Sequence, residues 1–148
     1  MYIRLESNPS YTLQNFLLDG ISTQARNHGF SSHVYFSFFL YNENHIVKGG
    51  IKGSNFYGSL YIDYIYVDPD LRGHGHGRSL LQKAEEWGAT QNCTFVTLTT
   101  MSFEAKNFYL KCGYTIEFEQ KGYINDASMI YFRKNLIDQE QIQPQSLA

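Results

Sequence analysis

A chain of 148 residues with 43% hydrophobic residues is long enough for one domain with a sizeable core. Twelve Lys and Arg against fourteen Asp and Glu leave a formal charge of −2, so no bulk positive field draws in phosphate backbones and no nucleic-acid partner is expected. No apolar run approaches a membrane span, the opening MYIRLESNPS lacks the apolar stretch of a secretory signal, and Cys93 and Cys112 fit neither a disulfide framework nor a zinc site. These features predict a cytoplasmic protein with no membrane partner and two buried thiols.

In chain order, Asn8-Pro9-Ser10 reads as a capped helix start, and Leu13, Phe16, Leu17, Gly20 and Ile21 recur at helical spacing behind it. His33 to Tyr41 and His45 to Ile51 are aromatic and β-branched runs on either side of Asn-Glu-Asn turn chemistry, which predicts a hairpin. Leu60 to Val67 is the next strand. The pattern then becomes strand, helix, strand, helix. Leu80, Leu81, Ala84, Trp87 and Gly88 share a helical face, TFVTLTT (Thr94 to Thr100) is a buried strand, and Ala105, Phe108, Tyr109 and Cys112 mark a second helix closed by Gly113. That order predicts two parallel strands joined by a crossover helix. Tyr114 to Gln120 and Ala127 to Lys134 add two strands. Residues 1–136 are expected to form a single domain, and the polar stretch 137–148 a frayed tail.

The densest punctuation is in RGHGHGRS, between the strand ending at Val67 and the helix carrying Leu80. A glycine-rich turn that opens a helix presents free N–H groups and the positive end of the helix dipole, an arrangement suited to a phosphate. Neither common nucleotide motif fits. Three residues, not four, separate Gly73 from Gly77, no P-loop lysine follows, and no third glycine completes G-x-G-x-x-G. A plain tight turn does not account for three glycines flanked by Arg72 and Arg78, so the loop reads as an anion site. His74 and His76 lack a further ligand cluster, and no metal is expected.

Arg72-Gly73-His74-Gly75-His76-Gly77 resembles the [Gln/Arg]-x-x-Gly-x-[Gly/Ala] signature of the GNAT N-acetyltransferase superfamily. YIYVDPDL before it is similar to that family's approach strand, and SFEAKNFYLKCGY after it is similar to the family helix that ends in a tyrosine and Lys-x-Gly-[Phe/Tyr]. The resemblance runs from about Ile46 to Leu136. It implies a mixed α/β (α+β) fold: a splayed central mixed sheet of about six to seven strands flanked by about four helices, gripping acetyl-CoA between two central parallel strands. It further implies that Ile65, Tyr66 and Val67 pair through their backbone with the pantetheine arm, while Arg72, Gly73, His74, Gly75, His76, Gly77 and Arg78 surround the pyrophosphate. The family often carries Asn seven residues before its tyrosine. This chain has Ser102 there, which either bonds pantetheine or caps the helix.

The resemblance also implies acetyl transfer to a primary amine by direct attack in a ternary complex. A lysine-like amine with a pKa of about 10.4 lies about three units from neutral, a barrier of roughly 4 kcal/mol unless a base removes the proton. Tyr109 matches the family tyrosine that protonates the departing thiolate; the alternative is core packing at helical spacing. Asp63 interrupts an apolar, aromatic strand, and some polyamine acetyltransferases of the family carry an acidic residue at that spacing. It is a candidate base or counter-charge, or else a carboxylate tied structurally to a neighbouring strand or subunit. Asp68 reads as a turn residue, and Glu85, Glu86 and Glu104 as solvated helix positions. The tyrosines of NFYGSLYIDY suggest an enclosed pocket for a small-molecule amine, with an open peptide groove or a non-catalytic acyl-CoA sensor as alternatives. A homodimer is permitted by the aromatic surface but not specified by it.

Overall fold

The structure, a computed structural model, describes residues 1–31 and 33–137. Apart from Ile137, the residues expected to form a frayed tail lie outside this range. The chain forms two compact units, Met1–His33 and the part from Val34 onward.

In the first unit, α1 spans Tyr11–Asn27. It starts where expected: Ser10 stays extended and its hydroxyl accepts the backbone N–H of Leu13 at 3.4 Å. It ends where the His28 N–H returns to the Ala25 carbonyl and Gly29 takes φ +83°.

The second unit holds one six-stranded sheet of β1 (Val34–Tyr41), β2 (Val47–Phe56), β3 (Ser59–Val67), β4 (Phe95–Met101), β5 (Thr115–Gln120) and β6 (Met129–Asn135). The strand order is β1-β2-β3-β4-β6-β5, with β3 and β4 parallel and all other neighbours antiparallel. Two helices follow the expected connections, α2 (His76–Thr90) between β3 and β4 and α3 (Lys106–Lys111) between β4 and β5. The described residues thus carry three α-helices where about four were expected, and no helix among them is long and apolar enough to cross a membrane.

Local chemistry explains the strand joins. Asn42 Oδ1 accepts the N–H groups of Asn44 and Ile46 at 3.0 and 2.9 Å, which closes the first hairpin. β2 runs five residues past its expected end at Ile51 because a second hairpin follows. Phe56 pairs with Ser59 across Tyr57-Gly58, both with positive φ, the two-residue turn that matches strand twist.

The core lies between the sheet and α2. Leu60, Ile62, Val96, Leu98, Ile130 and Phe132 of the sheet meet Leu80, Leu81 and Ala84 of the helix, and Trp87 packs its ring 4.7 Å from Phe36. α2 approaches β3 closely through Gly88, where a Cβ would stand 2.9 Å from the Leu60 side chain. Glu85 fixes the far side of the helix: it pairs with Lys134 Nζ at 2.7 Å and accepts the Tyr114 hydroxyl at 2.9 Å. Glu85 is therefore a half-buried tie between α2 and β6 rather than a solvated residue, whereas Glu86 pairs with Lys83 on the outer face as expected. Gly88→Leu should crowd Leu60 and cost about 1–3 kcal/mol. Urea denaturation would show this as a lower midpoint with an unchanged slope.

Candidate active site

The ladder between β3 and β4 is short. It pairs Ser59 with Phe95 through Ile62 with Leu98 and stops, although β3 continues to Val67 and β4 to Met101. The break coincides with a bulge in β3. On β2, Lys52 pairs with Tyr64 and Gly53 with Ile62, which leaves Asp63 as the extra residue. The extra residue also resets side-chain parity: Leu60 and Ile62 face the core before it, Ile65 and Val67 after it. Beyond Ile62 a cleft of about 780 Å³ opens between the strands, with Ile65 to Val67 on one side and Thr100, Glu104 and Tyr109 on the other.

The glycine loop closes one end of this cleft. Asp68 enters it as the expected turn residue; its carboxylate meets Lys48 Nζ at 2.8 Å, and that hydrogen bond holds its pKa below the usual carboxylate range. Arg72 Nε donates to the Val67 carbonyl at 2.9 Å and its guanidinium lies 5.7 Å from the Tyr66 ring centre. The glycines serve two physical needs. Gly73 and Gly75 take φ of +80° and +86°, whereas at Gly77 a Cβ would press within 3.1 Å of the Phe108 ring. Gly75 is the N-cap of α2 and offers no side-chain cap, so the first-turn N–H groups remain available to an anion. Arg72, Gly73, Gly75, His76, Gly77 and Arg78 line the cleft; His74 does not. The His74 and His76 rings are 6.4 Å apart, and no group of three potential metal ligands exists among the described residues.

Tyr109 stands on the opposite wall, 5% exposed, its ring packed against Phe108, Tyr114 and Phe132. Burial, reinforced by the Glu104 carboxylate and then Cys112, pushes its phenol up to about 12. Its hydroxyl has no hydrogen-bond partner among the described residues and is not sealed from solvent, so it opens onto the cleft. The packing and acid readings of Tyr109 are therefore compatible. Cys112 also lines the cleft and is only half-buried; burial pushes its thiol up and Arg78 partly offsets this.

Three sequence expectations change. The sequence places Asp63 as a carboxylate costly to bury, but it is exposed, lies outside the cleft lining, and its carboxylate forms no ion pair or hydrogen bond among the described residues. The bulge places it with Tyr61 and Tyr66 on the sheet face away from α2. Ser102 neither caps α3, whose N-cap is Ala105, nor lines the cleft. It ties the end of β4 to the approach to β6: Ser102 Oγ accepts the Ser128 N–H at 3.1 Å, and the Ser102 N–H donates to the Ser128 carbonyl at 2.8 Å. Glu104 is exposed as expected, but it lies in the turn before α3 rather than on a helix face. There one carboxylate oxygen accepts the Thr100 hydroxyl at 2.9 Å and the Met101 N–H at 3.1 Å. Glu104 is the site residue that sequence reading missed, because its partners become neighbours only through this turn.

The sequence profile of the acetyltransferase (GNAT) family matches residues 6–114. The chain belongs to the acetyltransferase (GNAT) family. This GNAT chain is 32% identical over 74 residues to an acetyltransferase of Agrobacterium fabrum (50% of this chain, 54% of that protein). It is 31% identical over 71 residues to the blasticidin-S acetyltransferase of Streptomyces morookaense (47% and 52%). The chain thus matches about half the length of each relative. Solved structures share the GNAT architecture. A candidate acetyltransferase from Agrobacterium tumefaciens superposes with a TM-score of 0.82 at 23% identity, covering 91% of this chain and 99% of the other. A candidate streptothricin acetyltransferase from Bacillus anthracis, solved with acetyl coenzyme A, gives 0.63 at 24%, covering 68% and 62%.

The tie made by Glu104 yields a direct test. Glu104→Gln keeps an oxygen that can accept both hydrogen bonds and should melt within a degree or two of the parent. Glu104→Ala strands the Thr100 and Met101 donors and should lose about 1–3 kcal/mol. Equal melting temperatures for the two variants would contradict the tie.

Proposed function

We propose that this chain is an acetyl-CoA-dependent N-acetyltransferase that moves an acetyl group to a primary amine of a small molecule by direct transfer in a ternary complex. The observation that carries the reading is the broken β3–β4 ladder, with an anion-binding loop at one end and the Tyr109 hydroxyl on its wall. Pantetheine has amides that can continue a sheet edge, and the free edge at Ile65 to Val67 suits them. The pyrophosphate would be held by the N–H groups of Gly73 to Arg78 and by Arg72 and Arg78. Bound there, acetyl-CoA supplies an acyl group activated as a thioester.

The chain's own residues then have distinct tasks. As the amine nitrogen forms its C–N bond and the C–S bond breaks, Tyr109 gives its proton to the departing sulfur. The acceptor reaches this step as the neutral amine, its ammonium having already lost one proton to solvent, and the single proton that then leaves nitrogen restores the phenol. With its pKa near 12, Tyr109 stays protonated across the physiological range, which an acid requires. Asp63, exposed beside Tyr64 and Tyr66, serves as a counter-charge that attracts a cationic acceptor to the outer face of the sheet. The similarity to a blasticidin-S acetyltransferase supports a small-molecule acceptor.

Coenzyme A release should be measured against a panel of amines, amine-bearing antibiotics and peptides. Turnover on a small amine is expected; binding of acetyl-CoA without turnover on any acceptor would make the chain a ligand sensor instead. Gly75→Glu, which places bulk and negative charge at the loop, should abolish the rise in melting temperature that acetyl-CoA gives the parent protein. With an acceptor in hand, Tyr109→Phe should lower kcat by roughly ten- to a thousand-fold at nearly unchanged acetyl-CoA affinity. Because burial raises the phenol, kcat of the parent should show no falling limb from this group below about pH 10.

A further inference from the structure

The cleft carries a second group able to move a proton. Among the described residues that line it, Glu104 is the one carboxylate, whereas Arg72, Arg78 and Lys111 supply positive charge. Glu104 forms no ion pair among the described residues. Both of its hydrogen bonds fall on one oxygen: Oε2 accepts the Thr100 hydroxyl at 2.9 Å and the Met101 N–H at 3.1 Å. The carboxylate is thus held in place through Oε2, and Oε1 keeps open lone pairs.

Glu104 stands five residues before Tyr109 in the chain and on the same wall of the cleft, facing the free edge of Ile65 to Val67, and its charge is felt at the phenol. It is exposed, and Phe103 beside it in the lining is 73% exposed, so this wall is open to water. A site that protects a thioester for amines alone has to exclude water. Here an oxygen base sits on a wetted wall that also carries a buried hydroxyl able to act as an acid.

We infer that the chain has a second activity, hydrolysis of acetyl-CoA when no acceptor amine is bound, with Glu104 as the general base for water and Tyr109 as the acid. The water oxygen bonds to the thioester carbonyl carbon as the C–S bond breaks; Glu104 Oε1 takes one water proton and Tyr109 gives its own to the departing sulfur. The proton on Glu104 then returns to the phenolate through solvent, and the products are acetic acid and the coenzyme thiol. The inference rests on the acetyl-CoA reading above and on Tyr109 as its acid.

Acetyl-CoA alone is the probe. Thiol release is followed in an amine-free buffer, acetate is counted by proton NMR, and calorimetry measures acetyl-CoA binding to each variant. The parent should release thiol and acetate one for one, at least about a hundredfold faster than buffer alone. Glu104→Gln, which keeps the tie to Thr100 and Met101 but puts an amide in place of Oε1, should lose about a hundredfold or more of this rate while binding acetyl-CoA within about twofold of the parent. Glu86→Gln, on the outer face of α2, should leave rate and binding unchanged. A Glu104→Gln rate within about threefold of the parent's, a matching loss of binding in that variant, or thiol release by the parent without matching acetate overturns the hydrolytic step and leaves the cofactor reading standing. So does a parent that binds acetyl-CoA and releases no thiol above buffer alone. A parent that binds no acetyl-CoA overturns both.

Discussion

Backbone N–H and C=O groups inside a sheet need partners, and between β3 and β4 that need is met only from Ser59 to Ile62. The extra residue at Asp63 then turns β3 away from its parallel neighbour while β2 still pairs with its other edge. The consequence is an unusual object in a folded core: two strand edges that face each other across a gap, each fully supported from behind. A ligand with peptide-like amides can complete the ladder without any strand having to move. The glycine loop and Tyr109 matter because they lie at the margins of that gap.

The helices keep the gap from closing. α2 sits close on β3 at Gly88 and is tied to β6 through Glu85, while its first turn packs on α3 where Gly77 meets Phe108. α3 in turn buries Tyr109 among Phe108, Tyr114 and Phe132. The same apolar contacts that anchor this short helix strip water from the phenol ring and raise its pKa, so packing and the raised pKa have one cause. Glu104 adds to both, bracing the turn before α3 at Thr100 and Met101 and placing a negative charge near Tyr109.

What the sequence revealed was what depends on near neighbours. The Ser10 cap, the Asn42 turn, the helical spacing of Leu80 to Gly88 and the glycine-rich turn that opens α2 each follow from residues within a turn or two, and each was legible. The Tyr57-Gly58 hairpin was not, because a tyrosine occupies the positive-φ position where Asn or Asp would have signalled it. The bulge was hidden for a similar reason: LYIDYIYV reads as one unbroken strand, and only the register against β2 shows that Asp63 is surplus. Ser102, Glu85 and Glu104 were misread because their partners, Ser128, Lys134 and Thr100, depend on how distant strands and a tight turn come together.

Hydrogen exchange read by mass spectrometry, with and without acetyl-CoA, tests the broken ladder most directly. If the ligand completes the sheet, amides between Asp63 and Val67 and in the first turn of α2 should slow markedly on binding, while those of β1 and β5, remote from the gap, should not change. Acetyl-CoA binding that leaves Asp63 to Val67 exchanging at the unliganded rate would contradict the account.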